Sequence, residues 1–383
     1  MFFLILLTLA GLIFIYVLFR LILPAPMSGT VKLLAAFLLF LASLQHVLIR
    51  YVPGGMASPE LPAPLLLASA WSFVSLLFLF LLLLIRDVLL LVRWLFRRAG
   101  KRANPSFSPS RRQALLTAMA VVPATYGIRQ GVVVPDVHFV EARLPGLPKE
   151  LDGLTLVQVS DLHISPLLRE PRVRAVVDKV NALAPDLICL TGDIVDGVPK
   201  RRAEDVAPLK DLRARYGVFG CTGNHEYYSD YAGWMRTFPA LGITMLLNSH
   251  AVLNIRGKEL VLAGVPDIAA EMLSLPGPDV AKALATAPEG AVRILMDHRP
   301  INAVANARAK VDLQLSGHTH GGQILGMNRL VARFNQGFVY GWYQVDMMRM
   351  YVSSGAGLWS GFPVRLGVPS EIVRFVLRSA GKA

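Results

Sequence analysis

Five short blocks hold the residues whose types and spacing suit chemistry. They are Ser160-Asp161-Leu162-His163, Gly192-Asp193-Ile194-Val195-Asp196, Gly223-Asn224-His225-Glu226, Met296-Asp297-His298-Arg299 and Gly317-His318-Thr319-His320. Five of the chain's eight histidines fall inside them. Carboxylate, imidazole and amide side chains are the donor set of divalent ions such as Mn, Fe or Zn. In an extended segment residues i and i+2 point to one side, so Asp161 and His163 can converge, as can His318 and His320. Glycines at 192, 223 and 317 allow tight turns where backbone must pass close to a ligand. One Asp-x-His arises by chance in any large protein; five such blocks in order do not. Together they have the makings of a two-metal hydrolytic centre.

The blocks need elements to position them. Short apolar runs suggest strands at Leu154–Ser160, Asp186–Thr191, Val218–Thr222, Ile243–Leu247, Ala251–Ile255, Leu260–Gly264, Val292–Met296, Asp312–Leu315, Tyr343–Val345, Met348–Val352 and Ile372–Leu377. Helical stretches at Pro171–Leu183 and Ala203–Ala214 intervene. Each block then lies at the C-terminal end of a strand, the edge where open α/β sheets place ligands. Alternating strands and helices predict an α/β core, and the consecutive strands at 243–264 and 343–377 predict more than one sheet. No internal repeat is visible.

With these residues in place, the chain resembles the calcineurin-like metallophosphoesterase family. That family's pattern is Asp-x-His, Gly-Asp-x-x-Asp, Gly-Asn-His-Asp/Glu, His and Gly-His-x-His, and the likeness spans about residues 150–360. Leu151-Asp-Gly-Leu-Thr-Leu-Val-Gln-Val-Ser-Asp-Leu-His163, the Gly-Gly-Gln after His320 and the tail Arg365-Leu-Gly-Val-Pro-Ser-Glu-Ile372 make it most similar to the bacterial membrane-anchored or twin-arginine-exported branch. The resemblance implies two β-sheets flanked by helices, an αββα sandwich, and two adjacent divalent ions. Asp161, His163 and His320 would hold the first ion; Asn224, His298 and His318 the second; Asp193 would bridge them. His225 would protonate the leaving oxygen or steady the transition state, Glu226 would orient His225, and Asp196 would stand behind the ligands. The implied activity is metal-dependent hydrolysis of a phosphodiester, phosphomonoester or pyrophosphate.

The rest of the sequence concerns location. Of 383 residues, 54% are hydrophobic, and mean hydropathy is +0.49, above what a soluble globular chain needs. The excess is concentrated in uncharged stretches at 2–19, 33–49 and 61–85. A bilayer core of ~30 Å needs about 20 apolar residues in a helix. Phe2–Phe19 and Leu61–Ile85 meet that, and Leu33–Ile49 is near the lower limit. The first span lacks the basic start and small-residue cleavage site of a signal peptide. Val88–Phe96 reads as an amphipathic continuation of the third helix.

Residues 1–112 hold eleven Lys and Arg against Glu60 and Asp87, so most of the net charge of +13 lies there. The basic loop at 86–112 beside a membrane helix is expected in the cytoplasm. Without a DNA-binding motif it does not predict a nucleic-acid partner. Ala103–Ser110 reads as a Pro/Ser-rich linker. Ser110-Arg111-Arg112 before an uncharged stretch to Ile128 resembles a twin-arginine export signal, although Ala114 stands where Phe is usual and three spans precede it. Alternatively it is a fourth span, kinked at Pro123. Either reading carries the C-terminal domain across the membrane. The expected organisation is a membrane region at 1–128 with three to four helices, and a catalytic domain at 129–383. The expected location is the bacterial cytoplasmic membrane, multi-pass, with catalysis on the extracytoplasmic side; if 113–128 does not cross, the catalytic domain is cytoplasmic.

A membrane anchor favours an envelope or lipid-linked substrate. A pyrophosphatase acting on a UDP-linked acyl-glucosamine is one alternative, and it requires cytoplasmic access. A non-catalytic sensor that keeps the fold would have lost Asp193 or His225, and both are intact. A transporter or channel would need charge within the spans, which is nearly absent. Cys189 and Cys221 read as buried thiols, His46 as an interfacial or packing residue, and His138 and His250 as structural. Tyr227, Tyr228 and Trp234 follow a candidate catalytic loop and suit either a substrate wall or ordinary packing.

Overall fold

A computed structural model describes residues 2–49, 58–96 and 109–380. The basic residues Arg97, Arg98, Lys101 and Arg102 and most of the Pro/Ser-rich linker lie outside the described residues. The chain divides into two units. One gathers Met1–Arg129 with the segment Gly361–Val364; the other comprises Gln130–Ser360 and Arg365–Ala383.

In the first unit, helices α1 (Phe2–Val17), α2 (Gly29–Leu48) and α3 (Ala63–Leu95) form from the uncharged stretches. A π-turn extends α1, so the apolar span covers Leu4–Ile22. All three are long and apolar enough to cross a membrane. Ser28 starts α2 by accepting from the Val31 amide, a conventional helix cap. Helix α3 has 33 residues, about 50 Å, so it outruns a ~30 Å core. Its surplus includes the expected helical continuation from Val88 and the turn before it. There Asp87 meets Arg20 (Nε to Oδ2, 2.6 Å) and Arg86 (2.7 Å), so an acid inside a long apolar helix is neutralised by two arginines. Helix α4 (Pro109–Val132) contains Arg111, Arg112 and Arg129 and is not among the candidate spans of the described residues.

The second unit contains β1 (Asp136–Pro145), β2 (Thr155–Val159), α5 (Glu170–Ala182), β3 (Leu187–Thr191), α6 (Pro199–Val206), β4 (Val218–Cys221), α7 (His225–Tyr228), α8 (Tyr231–Ala240) and β5 (Ile243–Met245). These are followed by β6 (Ser249–Ile255), β7 (Lys258–Gly264), α9 (Val280–Leu284), β8 (Val292–Met296), α10 (Ala303–Arg308), β9 (Leu313–Ser316), α11 (Asn328–Phe334), β10 (Gly341–Val345), β11 (Met348–Val352) and β12 (Glu371–Ala380). They make two six-stranded mixed sheets, ordered β1-β12-β2-β3-β4-β5 and β10-β11-β9-β8-β7-β6. Strands β2 to β5 run parallel, as do β7, β8, β9 and β11. Parallel strands are covered on both faces, which is why Leu187–Thr191 is one unbroken buried run.

The core has three layers. Leu156, Leu187, Phe219, Leu262, Ile294, Leu315 and Phe375 fill the space between the sheets. Val173, Val177 and Val180 of α5 join Ile188 and Trp234 on the outer face of the first sheet. Ala283 of α9 and Ala303 of α10 join Val261 and Leu295 outside the second. This is the expected helix-flanked double sheet. Two differences are local. The helix expected at Ala203–Ala214 ends at Val206 and continues as a 3₁₀ turn at Ala207–Asp211, where Pro208 withholds an amide from the α-helical ladder. The edge strand β1, paired parallel to β12, was not expected from the sequence.

Because the parallel strands of both sheets end on one side, their trailing loops meet. The loops after β2, β3 and β4 bring in three blocks; those after β8 and β9 bring in two. Backbone hydrogen bonds lace them together: Asp161 N to Gly192 O (3.0 Å), His163 N to Asp193 O (3.0 Å) and Gly317 N to His298 O (2.9 Å).

Candidate metal centre

The loops turn by adopting backbone that L-residues avoid. Asp161, His163, Asp193, His318 and His320 all have φ between 47° and 69°, in the sparsely populated left-handed region. Such residues persist where surrounding structure over-determines them, and they cluster at functional sites. Gly192 (φ 87°) shows how tight the assembly is: a Cβ there would lie 2.5 Å from Gly223 N and 2.7 Å from His298 Nδ1. At Gly317 a Cβ would collide with Ser160 Oγ and Asp161 Oδ2.

These turns gather the candidate ligands into three overlapping clusters: Asp161/His163/His320, His163/Asp193/His225 and Asp193/His298/His318. Asp193 belongs to two of them. Its Oδ2 is 3.1 Å from His298 Nε2 and 3.8 Å from His163 Nε2, so one carboxylate oxygen faces both sides. On the first side, His163 Nε2 and His320 Nε2 face each other at 3.2 Å, with Asp161 Oδ1 3.5 Å from His320 Nε2. On the second side, the rings of His298 and His318 are 5.2 Å apart. Asn224 Oδ1 is buried without a hydrogen-bond partner, while His298 Nε2 meets only the Asp193 carboxylate. Buried polar atoms are seldom left so; an orphaned amide oxygen beside this His–Asp pair fits a divalent ion.

A second ring of contacts orients the first. His298 Nδ1 faces Thr191 O at 2.8 Å, which leaves Nε2 to point inward. Asp297, adjacent in sequence and a competing ligand in principle, is turned away and accepts from Asn302 and Asn306. Arg365 is buried and donates to the carbonyls of Ser354 and Gly357 (2.7 Å each), with Nη2 3.3 Å from His320 Nδ1. Its buried, multiply satisfied guanidinium has no local sequence signature.

His225 lies beside the cluster. Its backbone N donates to Asp193 Oδ1 (2.8 Å), and its Nδ1 is 2.5 Å from Asp196 Oδ1. Glu226 does not orient this ring, contrary to expectation. Its carboxylate accepts from the amides of Gly223, Asp193 and Ile194 (2.7, 3.1 and 2.7 Å), which clamps the loops after β3 and β4 together. The reason is geometric: Glu226 sits in the first turn of α7 and points back to the Gly223 amide of its own loop and across to the Asp193 and Ile194 amides of the loop after β3. The residue holding His225 is Asp196.

Electrostatics follow burial and carboxylate placement. Burial alone would lower the imidazole of His225, but Asp196 and Asp193 override it and raise it to about 9. His298 likewise resists burial, because Asp193 raises it to about 10. His318 and His320 are pushed well down by burial and by neighbouring positive charge, which keeps their lone pairs available. Burial would raise Asp193, but the cationic side of His298 holds it well below the usual carboxylate range.

Of the suggested wall residues, Tyr228 is half exposed with its ring 5.2 Å from that of His225. Tyr227 is buried and shares a hydrogen bond with Thr222, while Trp234 stacks on Phe238 in the core. Arg299, the last residue of the His298 block, had no role assigned from the sequence. Its side chain is 25% exposed, its Nε donates to Asp267 Oδ2 at 2.6 Å, and it neighbours the Tyr228 phenol. The clue was its position immediately after His298. Away from the centre, His46 stacks on Phe73, His138 and His250 bond to Glu371 and the Ala283 carbonyl, and both cysteines are buried thiols.

Two sheets that share an edge of His, Asp and Asn loops define a metallophosphoesterase, and the chain belongs to the calcineurin-like phosphoesterase family, whose pattern matches residues 154–322. Relatives agree over a longer stretch. A zebrafish (Danio rerio) transmembrane protein with metallophosphoesterase domain is 37% identical over 297 residues, covering 75% of this chain and 67% of its own. A Campylobacter jejuni metallophosphoesterase is 34% identical, covering 70% and 69%. One from Bacillus subtilis is 32% identical, covering 63% and 84%.

Proposed function

We propose that this chain is a membrane-anchored phosphoesterase with two divalent ions, hydrolysing a phosphodiester, phosphomonoester or pyrophosphate of an envelope or lipid-linked substrate. The observation that carries it is the Asp193 carboxylate, whose Oδ2 faces His163 Nε2 at 3.8 Å on one side and His298 Nε2 at 3.1 Å on the other. Asp161, His163 and His320 would hold one ion, and Asn224, His298 and His318 the other, with Asp193 between. Such ions would supply an activated water and neutralise charge on phosphoryl oxygens. The chain's own residues do the rest. Asp196 fixes the His225 ring and keeps it protonated near neutral pH, so His225 is set to donate a proton to the leaving oxygen. Glu226 locks the loops that carry Asp193 and Asn224. Arg299, steadied by Asp267, offers a cation to substrate oxygens at the rim.

The membrane reading rests on the three apolar helices and on the transmembrane relative. If α4 crosses, the catalytic unit lies outside the cytoplasm; if it does not, the unit is cytoplasmic. Paired reporters fused at the C-terminus, one active only in each compartment, decide between them. Hydrolysis is tested on phosphomonoesters, phosphodiesters and lipid pyrophosphates with the full chain and Asp193→Ala. Metal-dependent turnover that vanishes in the variant is expected; unchanged turnover would overturn the two-ion centre.

A further inference from the structure

Between Asp312 and Asp346 the chain has no acidic residue. Within this stretch, immediately after the His318/His320 block, α11 buries none of its residues. Leu325 is 74% exposed and Phe334 72%, with Met327 and Leu330 also largely open to solvent. Arg329 and Arg333 lie among them and are exposed. Four large apolar side chains and two arginines in ten residues, with no carboxylate, are unfavourable in water and match an anionic bilayer surface. There apolar side chains enter the acyl boundary and nearby Lys or Arg are drawn to anionic headgroups.

The patch is firmly mounted. Leu325 N donates to Leu366 O (2.8 Å), and Leu366 N to Gln323 O (2.9 Å). Asn335 is buried and caps Val331 O (3.0 Å). Gly322 (φ 79°) lets Asn328 sit against it; a Cβ there would come within 2.8 Å of the Asn328 backbone. The surface is thus tied to His320 through Gly322 and, by way of Leu366, to Arg365 beside the His320 ring. A bilayer is the occupant that the chain itself supplies, through three helices able to span one.

We propose that Leu325–Phe334 docks the catalytic unit on the anionic face of a bilayer, so that phosphoesters of lipid headgroups are presented to the metal centre. The docking itself rests on membrane anchoring alone; presentation of a substrate rests also on the phosphoesterase reading.

The test uses the full chain reconstituted in lipid nanodiscs. Leu330→Cys and Phe334→Cys are labelled with an environment-sensitive fluorophore, since Cys189 and Cys221 are fully buried. The control is Met347→Cys, exposed in the β10–β11 turn at the opposite end of the second sheet. Blue-shifted emission with quenching by doxyl-labelled lipid at 330 and 334, several-fold that at 347 and stronger with phosphatidylglycerol than with phosphatidylcholine alone, is expected. Water-like emission in both lipids overturns the proposal. So does a blue shift without lipid quenching, which would mean contact between protein copies. Separately, Leu325→Ser/Leu330→Ser/Phe334→Ser should leave hydrolysis of soluble bis-p-nitrophenyl phosphate unchanged and reduce hydrolysis of vesicle-embedded phosphatidic acid or phosphatidylglycerol about tenfold. Equal rates on vesicles would overturn the presentation step. Absence of all turnover would count against the phosphoesterase reading, while the quenching result still decides docking.

Discussion

One carboxylate oxygen serves two histidines: Asp196 Oδ1 lies 3.3 Å from His163 Nδ1 and 2.5 Å from His225 Nδ1. The same atom therefore sets the ring orientation of a candidate metal ligand and of the candidate proton donor. The rings stand edge to face, 4.6 Å apart.

Asp196→Asn should accordingly weaken both functions at once. The expected loss is about 10- to 100-fold in metal affinity and a similar factor in turnover. Metal content and kcat measured on the same sample check this; loss of turnover with metal affinity intact would confine Asp196 to His225.

The metal-free protein should lose stability as pH rises. His225 is raised to about 9 in the folded chain, against about 6.5 unfolded. Its contribution is fully present below pH 6.5 and disappears as pH passes 9, amounting to about 3 kcal/mol. His298, raised to about 10, acts in the same direction. Urea midpoints of chelated protein at both ends of this window should fall with pH, and less so in His225→Gln.

Metal uptake should release protons. His298 is raised to about 10, so at pH 8 it is protonated without metal and must give up its proton to become a ligand. Calorimetry in buffers of different ionisation enthalpy should show about one proton released per His298-side ion, and none from that site in His298→Ala.

Gly192→Ala should be far more damaging than Gly146→Ala. Both glycines have left-handed φ (87° and 81°), but only Gly192 is hemmed in, by Gly223 and His298. Gly146→Ala should cost about 1 kcal/mol of backbone strain. Gly192→Ala adds overpacking worth roughly another 1–3 kcal/mol. Thermal midpoints compare them directly.

Arg299→Ala should raise KM and lower kcat/KM by about 10- to 100-fold, in keeping with a charged hydrogen bond of about 1.5–3 kcal/mol. Metal content should not change. Arg299→Lys should recover part of the loss, because charge is kept but the planar fork is not. A variant that loses metal instead would show that Arg299 supports the loops.

Much of the catalytic unit was legible because its strands are short apolar runs punctuated by glycine and polar ligands, as at Leu187–Asp193. Edge strand β1 escaped notice because His138, Glu141 and Arg143 leave it largely exposed and without the apolar signal of an inner strand. The site blocks were legible as local spacing, since i and i+2 pairs share a face. What was illegible is contact between distant loops. The resemblance implied that Glu226 orients His225, whereas Asp196, from the loop after β3, holds it. Arg365 acts on His320 across 45 residues, a relation no local pattern encodes.

The left-handed backbone at Asp161, His163, Asp193, His318 and His320 also bears on how this chain tolerates change. Each such residue is held about 1–2 kcal/mol above its relaxed conformation. At the three histidines, replacement by glycine or asparagine would relieve that tension, so a search for thermal robustness would find gains there first; Asp161 and Asp193 anchor the His318 and His225 amides, which offsets any gain. Such gains would be bought with donor atoms. A hardened variant selected for heat alone should drift toward an inert scaffold, and only selection for turnover holds the five side chains in place.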